Sequence, residues 1–381
     1  MNEQWDLVVV GSGPAGTATA LGALHSEPGL SVLLLDRSDF PRDKACGDGV
    51  APHVDDLLAS VGVHGLLDDL VPVRRLELQH SGVTVSREMA RAAYVVPRTT
   101  LDARLLTAAT AAGASFRRQR VRSVRLGSDS VQAENVTAPV VVGADGAHSV
   151  VRRAVGGRPS PRTALAVRGY APVRRVDAGK QTIVFGTARQ PSYAWSFDRG
   201  DGLANVGYGE LLHVGRPALP RAQLVEQLER LLPGSTVDGA SWRGHHLPLS
   251  TWAWRQPDGR CLLVGDAAHL INPVTGEGIY YAVATGILAG RAAAAALRED
   301  GGRTAGSRHR QAVQNLLGRH LKHTSVVRRL ITTPAVARAG IRAAAADQRV
   351  FDDLVELGLA QGRVTQRTAT ALARQVAGRL S

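Results

Sequence analysis

Short apolar runs mark the beginning of the chain and return in its middle and later parts. One run spans Leu7–Val10 and a second covers 33–35, and an Ala-rich stretch between them has the composition of a helix. A strand, a helix and a strand in this order predict a parallel β-α-β unit. Runs at 140–142 and 261–264 predict two more buried strands, so the pattern favours an α/β fold.

A different pattern occupies the middle of the chain. Segments 75–78, 83–85 and 94–96 have the composition of short strands, and 163–250 alternates short strands with Gly and Pro turns. Such turns connect neighbouring strands directly, so this part predicts an antiparallel sheet, with one helix near 221–232.

The remaining segments have helical composition. A helix is predicted over 97–112 with Thr99 or Thr100 as its N-cap, and a long Ala-rich helix over 278–297. Beyond residue 302 the chain is predicted to be helical and basic, with a break near Pro334. These patterns predict a discontinuous nucleotide-binding domain (1–70, 98–160 and 255–300), an inserted substrate-binding sheet (71–97 and 161–254) and a C-terminal helical cap (301–381).

The first β-α-β unit carries a Gly-rich turn with the spacing of a dinucleotide fingerprint. Gly11 permits a tight turn, Gly13 permits close approach of a pyrophosphate, and Gly16 permits close packing of helix on strand. A pyrophosphate at this point faces the N–H groups and the positive dipole end of the helix. Asp36 ends the second strand, where a carboxylate can accept a hydrogen bond from a ribose hydroxyl.

Composition narrows the classes of function. Apolar residues make up 44 % of the 381 residues, as in folded proteins, and no uncharged apolar run has the length of a membrane span. The net charge of +13 is almost entirely due to arginine, since the lysines are Lys44, Lys180 and Lys322. The arginines are scattered rather than interleaved with aromatic residues, which predicts no nucleic-acid partner. Alternatively, the positive charge serves to bind an anionic lipid surface or a phosphate-bearing cofactor.

Two cysteines give neither a disulfide framework nor a metal pair, and no His, Cys and Asp cluster has metal-ligand spacing. We therefore expect no metal and a cytoplasmic protein without a signal peptide. Cys261 falls in a predicted strand and is expected in the core. Cys46 lies in a charged, Gly-rich loop, where Lys44 and Arg42 are predicted to lower its pKa. It either adjoins a cofactor or substrate, or is a small residue suited to a tight loop.

Acidic residues follow two further predicted strands. Asp145 comes after 140–142, and Asp266 comes after 261–264. Because ligands of open parallel sheets bind at the carboxyl ends of the strands, these residues and the fingerprint are expected to form one extended site.

Together these motifs resemble the flavoprotein monooxygenase superfamily that includes aromatic hydroxylases. Within it the chain most resembles the geranylgeranyl reductase family, over residues 1–300. The motifs are Gly11-Ser12-Gly13-Pro14-Ala15-Gly16, Lys44-Ala45-Cys46-Gly47-Asp48-Gly49, Gly143-Ala144-Asp145-Gly146-Ala147-His148-Ser149 with Arg152-Arg153, and Gly265-Asp266-Ala267-Ala268-His269 continued by Asn272-Pro273-Val274-Thr275-Gly276-Glu277-Gly278-Ile279.

The resemblance implies FAD, held by residues from all of these segments. The first glycines and Asp36 would hold the pyrophosphate and the adenosine ribose, and Asp266 the ribityl chain. The helix that starts near Gly278 would direct N–H groups at the flavin and stabilise its reduced anion. The full implied set is Gly11, Gly13, Pro14, Ala15, Gly16, Asp36, Arg37, Lys44, Cys46, Gly47, Arg98, Asp145, Gly146, Gly265, Asp266, Pro273, Gly276, Glu277, Gly278 and Ile279.

The resemblance also implies residues that lie over a substrate cavity. Tyr193-Ala194-Trp195-Ser196-Phe197 resembles the Tyr-x-Trp-x-Phe-Pro segment of the reductases, although Asp198 replaces the proline. Alternation puts the three aromatic residues on one face of a strand, where they form either an apolar substrate wall or part of the core. Residues implied to take part in catalysis are Cys46, Tyr193, Trp195 and His269.

These expectations leave two reactions open. In both, NAD(P)H reduces FAD beside an apolar cavity. In the first, the reduced flavin and a proton donor reduce a carbon–carbon double bond of an isoprenoid or polyene. In the second, the flavin forms a C4a-hydroperoxide with O₂ and hydroxylates or epoxidises a natural product. A third alternative is a protein without catalytic activity, either a flavoprotein or a basic surface that binds membrane or nucleic acid.

The expected partner is an apolar small molecule. Residues 303–330 hold leucines and valines among arginines, which predicts either a helix packed on the FAD domain or a helix at a membrane surface. Peripheral membrane contact therefore stays an alternative, and the sequence predicts no oligomeric state.

Overall fold

The computed structural model describes residues 3–160, 162–187, 191–213, 215 and 217–377. Its strands are β1 (Glu3–Gln4), β2 (Leu7–Val10), β3 (Val32–Asp36), β4 (Gly49–Val50), β5 (Val73–His80), β6 (Val83–Val95), β7 (Ser115–Arg118), β8 (Val124–Leu126), β9 (Val131–Ala133), β10 (Val136–Ala138), β11 (Val140–Gly143), β12 (Thr163–Pro172), β13 (Lys180–Phe185), β14 (Ser192–Asp198), β15 (Leu203–Leu211), β16 (Ala240–Pro248) and β17 (Cys261–Leu263). Its α-helices are α1 (Pro14–Ser26), α2 (His53–Ala59), α3 (Arg98–Ala111), α4 (Val150–Ala154), α5 (Arg221–Leu231), α6 (Ile279–Asp300), α7 (Ala305–Leu330), α8 (Pro334–Ala346), α9 (Gln348–Leu359) and α10 (Gln366–Ala377).

A parallel sheet with strand order β17-β11-β2-β3-β7 forms the centre of the α/β part. Strands β2, β11 and β17 are fully buried apolar runs and β3 is buried up to Asp36, as expected for a sheet covered on both faces, whereas the edge strand β7 is partly exposed. The register pairs Val10 with Gly143 and with Leu35, and Gly143 with Leu263. The carboxyl ends of these strands therefore meet at one edge.

Helices α1 and α6 cross very closely against this sheet. A Cβ atom on Gly286 would lie 2.3 Å from the Ala15 carbonyl oxygen, and one on Gly290 would lie 2.1 Å from that of Thr19. Glycine is thus needed at both crossing points, and the small residues of the Ala-rich segment are explained by this contact. By length and composition α6 resembles a membrane span, but 83 % of its apolar window is buried inside the protein.

A second, larger sheet has the order β16-β12-β15-β14-β13-β5-β6-β4. Most neighbours are antiparallel, as predicted, but β13 pairs with β5 in parallel, with Ile183 opposite Leu78. The prediction of a purely antiparallel sheet was wrong at this pair, because β5 and β13 are distant in sequence and no turn connects them. Strand β4, which precedes residue 70, also joins the edge of this sheet through β6.

Two local predictions needed correction. The segments 83–85 and 94–96 are the ends of one long strand, β6, rather than two strands. Helix α3 begins at Arg98 after Pro97, and neither Thr99 nor Thr100 caps it. Pro97 has an extended conformation with φ −52° and ψ 140°, so the helix starts directly after it without a side-chain cap.

The C-terminal helices cover both sheets. α7 packs along α6, whereas α8, α9 and α10 pack on one another. Of these three helices, α8 packs on β5 and β6, and α9 packs on β6. Ile341, Ala344 and Phe351 form a core with Leu76 and Val85 of the large sheet. A small sheet with the order β1-β10-β9-β8 flanks the parallel sheet.

Candidate functional site

One cavity of about 930 Å³ reaches from the edge of the parallel sheet, under the large sheet, to the C-terminal helices. Most of its wall is apolar. Of the residues proposed from sequence, it is lined by Gly11, Gly13, Pro14, Ala15, Asp36, Arg37, Lys44, Cys46, Gly47, Arg98, Asp145, Gly146, Tyr193, Trp195, Asp266, Pro273, Gly276, Glu277, Gly278 and Ile279. Gly16, Gly265 and His269 are not part of its lining.

The fingerprint turn is fixed by backbone contacts. Gly11 has φ +102°, and a Cβ there would lie 2.3 Å from the Ala144 carbonyl oxygen. A Cβ on Gly16 would lie 1.8 Å from the Gly11 carbonyl oxygen. Both glycines therefore bring the β2–α1 turn against the end of β11, next to Asp145. Gly16 acts in packing and does not reach the cavity.

Two arginines lie at the face of Gly13. A Cβ on Gly13 would be 3.0 Å from Arg42 Nη2 and 3.7 Å from Arg98 Nη2. Both cations share Asp102: Arg98 forms a bidentate pair at 2.6 and 2.8 Å, and Arg42 lies 3.1 Å away. Burial opposes the charge of Arg98, but Asp102 raises its pKa above the usual value. Two guanidinium groups beside a helix N-terminus suit a pyrophosphate.

Asp36 and Asp145 lie at the ends of β3 and β11. Asp36 accepts a hydrogen bond of 2.9 Å from the Ser12 backbone and thereby stabilises the fingerprint turn. Asp145 accepts one of 2.6 Å from Val150 at the start of α4. Its other oxygen, Oδ1, is buried without a partner among the described residues, and burial raises its pKa. An unpartnered buried carboxylate oxygen is consistent with a ligand hydroxyl at this point.

Asp266 follows β17 and lies beside Lys44 and His245. Lys44 Nζ lies 3.1 Å and His245 Nε2 3.8 Å from Asp266 Oδ2. Burial alone raises the pKa of this carboxyl, but Lys44 and His245 outweigh burial and hold it far below its usual range. Lys44 thereby fastens the 42–49 loop to the end of the parallel sheet.

The segment from Asn272 to Gly278 is held from two sides. The Asn272 amide donates to the Leu357 carbonyl at 2.9 Å, and the Thr275 hydroxyl donates to the Gly358 carbonyl at 2.7 Å. On the other side, the Tyr193 hydroxyl donates to the Thr275 carbonyl. No role of Asn272 and Thr275 could be predicted from the sequence, because their partners in α9 lie more than eighty residues away.

The start of α6 was expected to direct free N–H groups at the flavin, and Glu277 changes this expectation. Its carboxylate accepts a hydrogen bond of 2.8 Å from the Tyr280 backbone, so this N–H group is already satisfied within the protein. Burial raises the pKa of Glu277 to about 7. The helix end therefore combines N–H donors with a carboxyl group that changes protonation near neutral pH.

Cys46 lies in the cavity wall, and its pKa differs from the prediction. Burial, followed by the Asp48 carboxylate, raises the pKa of Cys46 to about 11. Lys44 and Arg42 do not lower it, because Lys44 pairs with Asp266 and Arg42 with Asp102. The Cys46 thiol is consequently protonated at neutral pH.

A buried network behind Cys46 was not foreseen. Asn205 donates to the Cys46 carbonyl at 2.9 Å and to Asp48 Oδ2 at 2.8 Å, and Tyr170 donates to the same Asp48 oxygen at 2.6 Å. Asp48 has φ +59°, and burial raises its pKa to about 6. The only sign of this network in the sequence was Asp48 in the Gly47-Asp48-Gly49 motif. The network itself could not be predicted, because the partners of Asp48 lie in the large sheet.

The aromatic residues of β14 form a row. Ring centroids are 5.8 Å apart for Tyr193 and Trp195 and 6.3 Å apart for Trp195 and Phe197. The Trp195 indole donates to Asn205 at 2.8 Å, which links the row to the Cys46 loop. Cys46, Tyr193 and Trp195 thus lie around one part of the cavity.

His269 does not join them. It ends the 3₁₀ turn Gly265–Ala268 with φ 56°, and within the described chain its Nε2 is buried without a partner. Burial, with Arg152 nearby, lowers the pKa of His269 to about 4. The structure therefore does not support the prediction of His269 as a group that contacts substrate.

The far end of the cavity is apolar and belongs to the C-terminal helices and the loop after α9. Its lining there comprises Val327, Leu330, Ile331, Val336, Ala337, Gly340, Ile341, Leu354, Val355, Leu359, Val364, Thr368 and Leu372.

Comparison with known proteins agrees with this site. A profile of the family described as "FAD binding domain" matches residues 4–316. The chain is 32 % identical over 316 residues to a digeranylgeranylglycerophospholipid reductase of Methanopyrus kandleri, over 78 % of this chain and 82 % of that protein. The chain belongs to the geranylgeranyl reductase family of FAD-dependent oxidoreductases.

Two further similar proteins show how far the likeness extends. A menaquinone reductase of Mycolicibacterium smegmatis is 32 % identical over 313 residues, covering 76 % of each chain. The structure of a geranylgeranyl bacteriochlorophyll reductase-like protein from Thermoplasma acidophilum matches 98 % of this chain and 96 % of its own, with a TM-score of 0.79 and 20 % identity. The geranylgeranyl reductase fold thus extends over the C-terminal helices.

Proposed function

We propose that this member of the family uses NAD(P)H to reduce its FAD and then reduces carbon–carbon double bonds of an isoprenoid or polyene chain. The observation that carries the proposal is the continuous cavity that begins at the dinucleotide fingerprint and ends among apolar side chains of the C-terminal helices. A long apolar chain fits such a space, and its double bonds would pass Cys46 and the aromatic row.

Different residues of the chain would bind the cofactor and the substrate. Gly13, Arg42 and Arg98 would hold the pyrophosphate, and Asp36 and Asp266 would contact the sugar parts of FAD. When bound, FAD supplies the two reducing equivalents. Trp195 and Phe197 pack against the apolar substrate and exclude water from the reacting carbons.

Cys46 is the proposed proton donor. Its raised pKa of about 11 keeps a proton on Sγ throughout the neutral range. Glu277 acts electrostatically on both Cys46 and Tyr193 and has a pKa raised to about 7.

We also propose a cytoplasmic protein that touches the membrane at its periphery. Val326 and Leu330, at the end of α7, are 55 % and 50 % exposed, and Arg329 lies between them in sequence. Leu330 also lines the apolar end of the cavity. Apolar and basic side chains together suit an anionic bilayer surface.

An anaerobic flavin assay tests the reaction. The purified protein is reduced with NADPH or NADH in the strict absence of O₂, and then mixed with a geranylgeranyl lipid. Rapid recovery of the oxidised flavin absorbance supports alkene reduction. Recovery that needs O₂ contradicts it and favours oxygenation.

A further inference from the structure

The loop between β3 and β4 carries Cys46 and has no regular secondary structure of its own. Two strands of the large sheet hold it. Arg168 in β12 pairs with Asp43 and donates a hydrogen bond of 3.3 Å to the Lys44 carbonyl. Asn205 in β15 donates one of 2.9 Å to the Cys46 carbonyl. The backbone of the cysteine loop is therefore fixed from the side of the large sheet.

Asp48 anchors the end of this loop. Its side chain is fully buried, and its Oδ2 accepts a hydrogen bond of 2.6 Å from Tyr170 and one of 2.8 Å from Asn205. Its carbonyl accepts a further one of 2.8 Å from the Val96 backbone. Its second carboxylate oxygen, Oδ1, has no hydrogen-bond partner among the described residues.

The local structure alone does not require a carboxylate at position 48. Asp48 has φ +59°, a conformation in which asparagine is enriched as aspartate is. The amide oxygen of an asparagine could accept the two hydrogen bonds that reach Oδ2. Burial of a carboxylate costs free energy that burial of an amide does not. The charge of Asp48 therefore has a purpose beyond the shape of the turn.

The two donors to this carboxylate are themselves fixed, since Tyr170 and Asn205 lie directly opposite each other on β12 and β15. Two guanidinium groups contact the Tyr170 ring, with the Cζ atoms of Arg168 and Arg199 at 4.5 and 4.7 Å from its centroid. The side-chain oxygen of Asn205 accepts the 2.8 Å hydrogen bond from the Trp195 indole. One amide thus positions both the cysteine loop and the aromatic row.

Asp48 also acts on Cys46 through its charge. Burial raises the pKa of the Cys46 thiol to about 11, and the Asp48 carboxylate is the next contribution in size. Glu277 also raises this pKa, and Arg98 lowers it. Among the charged groups, Asp48 therefore has the largest influence on whether the thiol keeps its proton.

Asp48 itself changes protonation within the pH range of ordinary assays. Burial raises its pKa to about 6. The hydrogen bonds from Tyr170 and Asn205 lower this pKa, as do the cations Arg168 and Arg98, but burial outweighs them. The effect of its charge on the thiol should consequently be present above about pH 6 and absent below it.

We propose that Asp48 is a positioning residue for Cys46. Tyr170 and Asn205 hold its carboxylate, and neither of them lines the cavity, so they act through the cysteine loop rather than on the substrate. The proposal rests on the proposed function, in which Cys46 donates a proton to the substrate. Asn205 keeps the loop against the aromatic row, and the charge of Asp48 keeps the proton on Sγ until the substrate takes it.

The rate at which Cys46 reacts with methyl methanethiosulfonate tests the role of Asp48 without any substrate. The FAD-loaded Cys261→Ser protein, in which Cys46 is the one thiol, is compared with the same protein carrying Asp48→Asn. Below about pH 6 residue 48 is uncharged in both proteins, so the rates should agree. At pH 8 the ionised Asp48 disfavours the thiolate, so D48N should react about ten-fold faster, as for a fall of about one unit in the pKa.

Two results would overturn the proposal. Equal rates at pH 8 would mean that the charge of Asp48 does not act on the thiol. A rate ratio that is the same at every pH would mean that D48N only loosens the loop and exposes Cys46.

Tyr170→Phe tests the geometry behind the charge effect. The rate profile of the parent protein should bend near pH 6, where Asp48 ionises. Loss of the Tyr170 hydrogen bond raises the pKa of Asp48, so the bend should move to higher pH by up to about one unit. Thr182→Val is the matched control, because it removes a buried 2.9 Å hydrogen bond from a hydroxyl to Asp177 in the same sheet. An unmoved bend in Y170F, or the same shift in T182V, would contradict the proposal.

Steady-state kinetics then separate this proposal from the proposed function. Asn205→Ala should lower kcat for prenyl reduction about ten-fold and change KM by about two-fold at most, because Cys46 is displaced from the reacting carbons. T182V should keep the parent kcat. An unchanged kcat in folded N205A would overturn the proposal. A protein that reduces no prenyl double bond contradicts the proposed function alone, since the thiol profiles still decide the role of Asp48.

Flavin content and thermal unfolding show which variants are folded. If D48N or N205A does not fold, Y170F decides the result in the same assay, because it removes a single hydroxyl group and leaves the Asp48 carboxylate in place.

Discussion

The Thr275 hydroxyl donates a hydrogen bond of 2.7 Å to the Gly358 carbonyl, and this contact joins the proposed flavin loop to the end of α9. Through it, the helices that line the apolar end of the cavity also position the loop beside the cofactor site. The proposed flavin loop and helix α9 are therefore joined by specific hydrogen bonds.

Thr275→Val should weaken FAD binding while preserving the shape of the side chain. Loss of one buried hydrogen bond costs about 1 kcal/mol, so the dissociation constant of FAD should rise about five-fold. Fluorescence titration of the flavin-free protein with FAD measures this change. Thr370→Val, at an exposed position of α10, is the control and should bind FAD as the wild type does. Unchanged affinity in T275V would show that α9 does not position the loop.

Lys44→Met should lower stability at neutral pH. The folded pKa of Asp266 is depressed, so its ion pair stabilises the protein above the unfolded pKa of about 3.9 and this stabilisation is lost as the pH falls through the folded pKa. We expect a loss of about 1–3 kcal/mol at pH 7 that shrinks in strong acid. Urea unfolding from pH 7 downwards measures it. The exposed Lys322→Met serves as the control, and a pH-independent loss would contradict the pairing.

Gly207→Ala should disturb the aromatic row. An added Cβ would lie 2.2 Å from Trp195 Cζ2 and 2.4 Å from the Val167 carbonyl oxygen, so the indole and the strand must move. The expected cost is about 1–3 kcal/mol in the free energy of unfolding. Gly209→Ala, two residues along β15, places its Cβ 3.5 Å from the nearest atom and should be nearly neutral. Equal unfolding midpoints for the two variants would refute this packing.

The Cys46 thiol should react slowly with iodoacetamide at neutral pH. Burial and Asp48 raise its pKa to about 11, so the rate should rise throughout the alkaline range instead of reaching a plateau near pH 8. Mass spectrometry of the Cys261→Ser protein, which retains Cys46 as its one thiol, follows the alkylation. A plateau below pH 8 would mean that Lys44 or Arg42 activates the thiol after all.

The sequence predicted the parallel sheet and the alignment of its strand ends well, for a local reason. The fingerprint, Asp145 and Asp266 each follow a buried apolar run, and the parallel register aligns the ends of these runs. It could therefore be expected from the sequence that Asp36, Asp145 and Asp266 lie around one cavity.

The sequence did not predict contacts between distant segments. The Asp48–Asn205 hydrogen bond, the parallel pairing of β5 and β13, and the contact of Thr275 with α9 join residues that no local pattern relates. The raised pKa of Cys46 was missed for the same reason, since burial and the neighbouring Asp48 carboxylate cause it, and the burial of Cys46 depends on the three-dimensional packing of distant segments.

Mass analysis of the product tests the central proposal most directly. The protein is supplied with NADPH and a geranylgeranyl lipid, once without O₂ and once under ¹⁸O₂. Alkene reduction predicts that each reduced double bond adds two hydrogen atoms, equally under both atmospheres, and that the product contains no ¹⁸O. A product that forms only with O₂ and carries ¹⁸O would contradict the account.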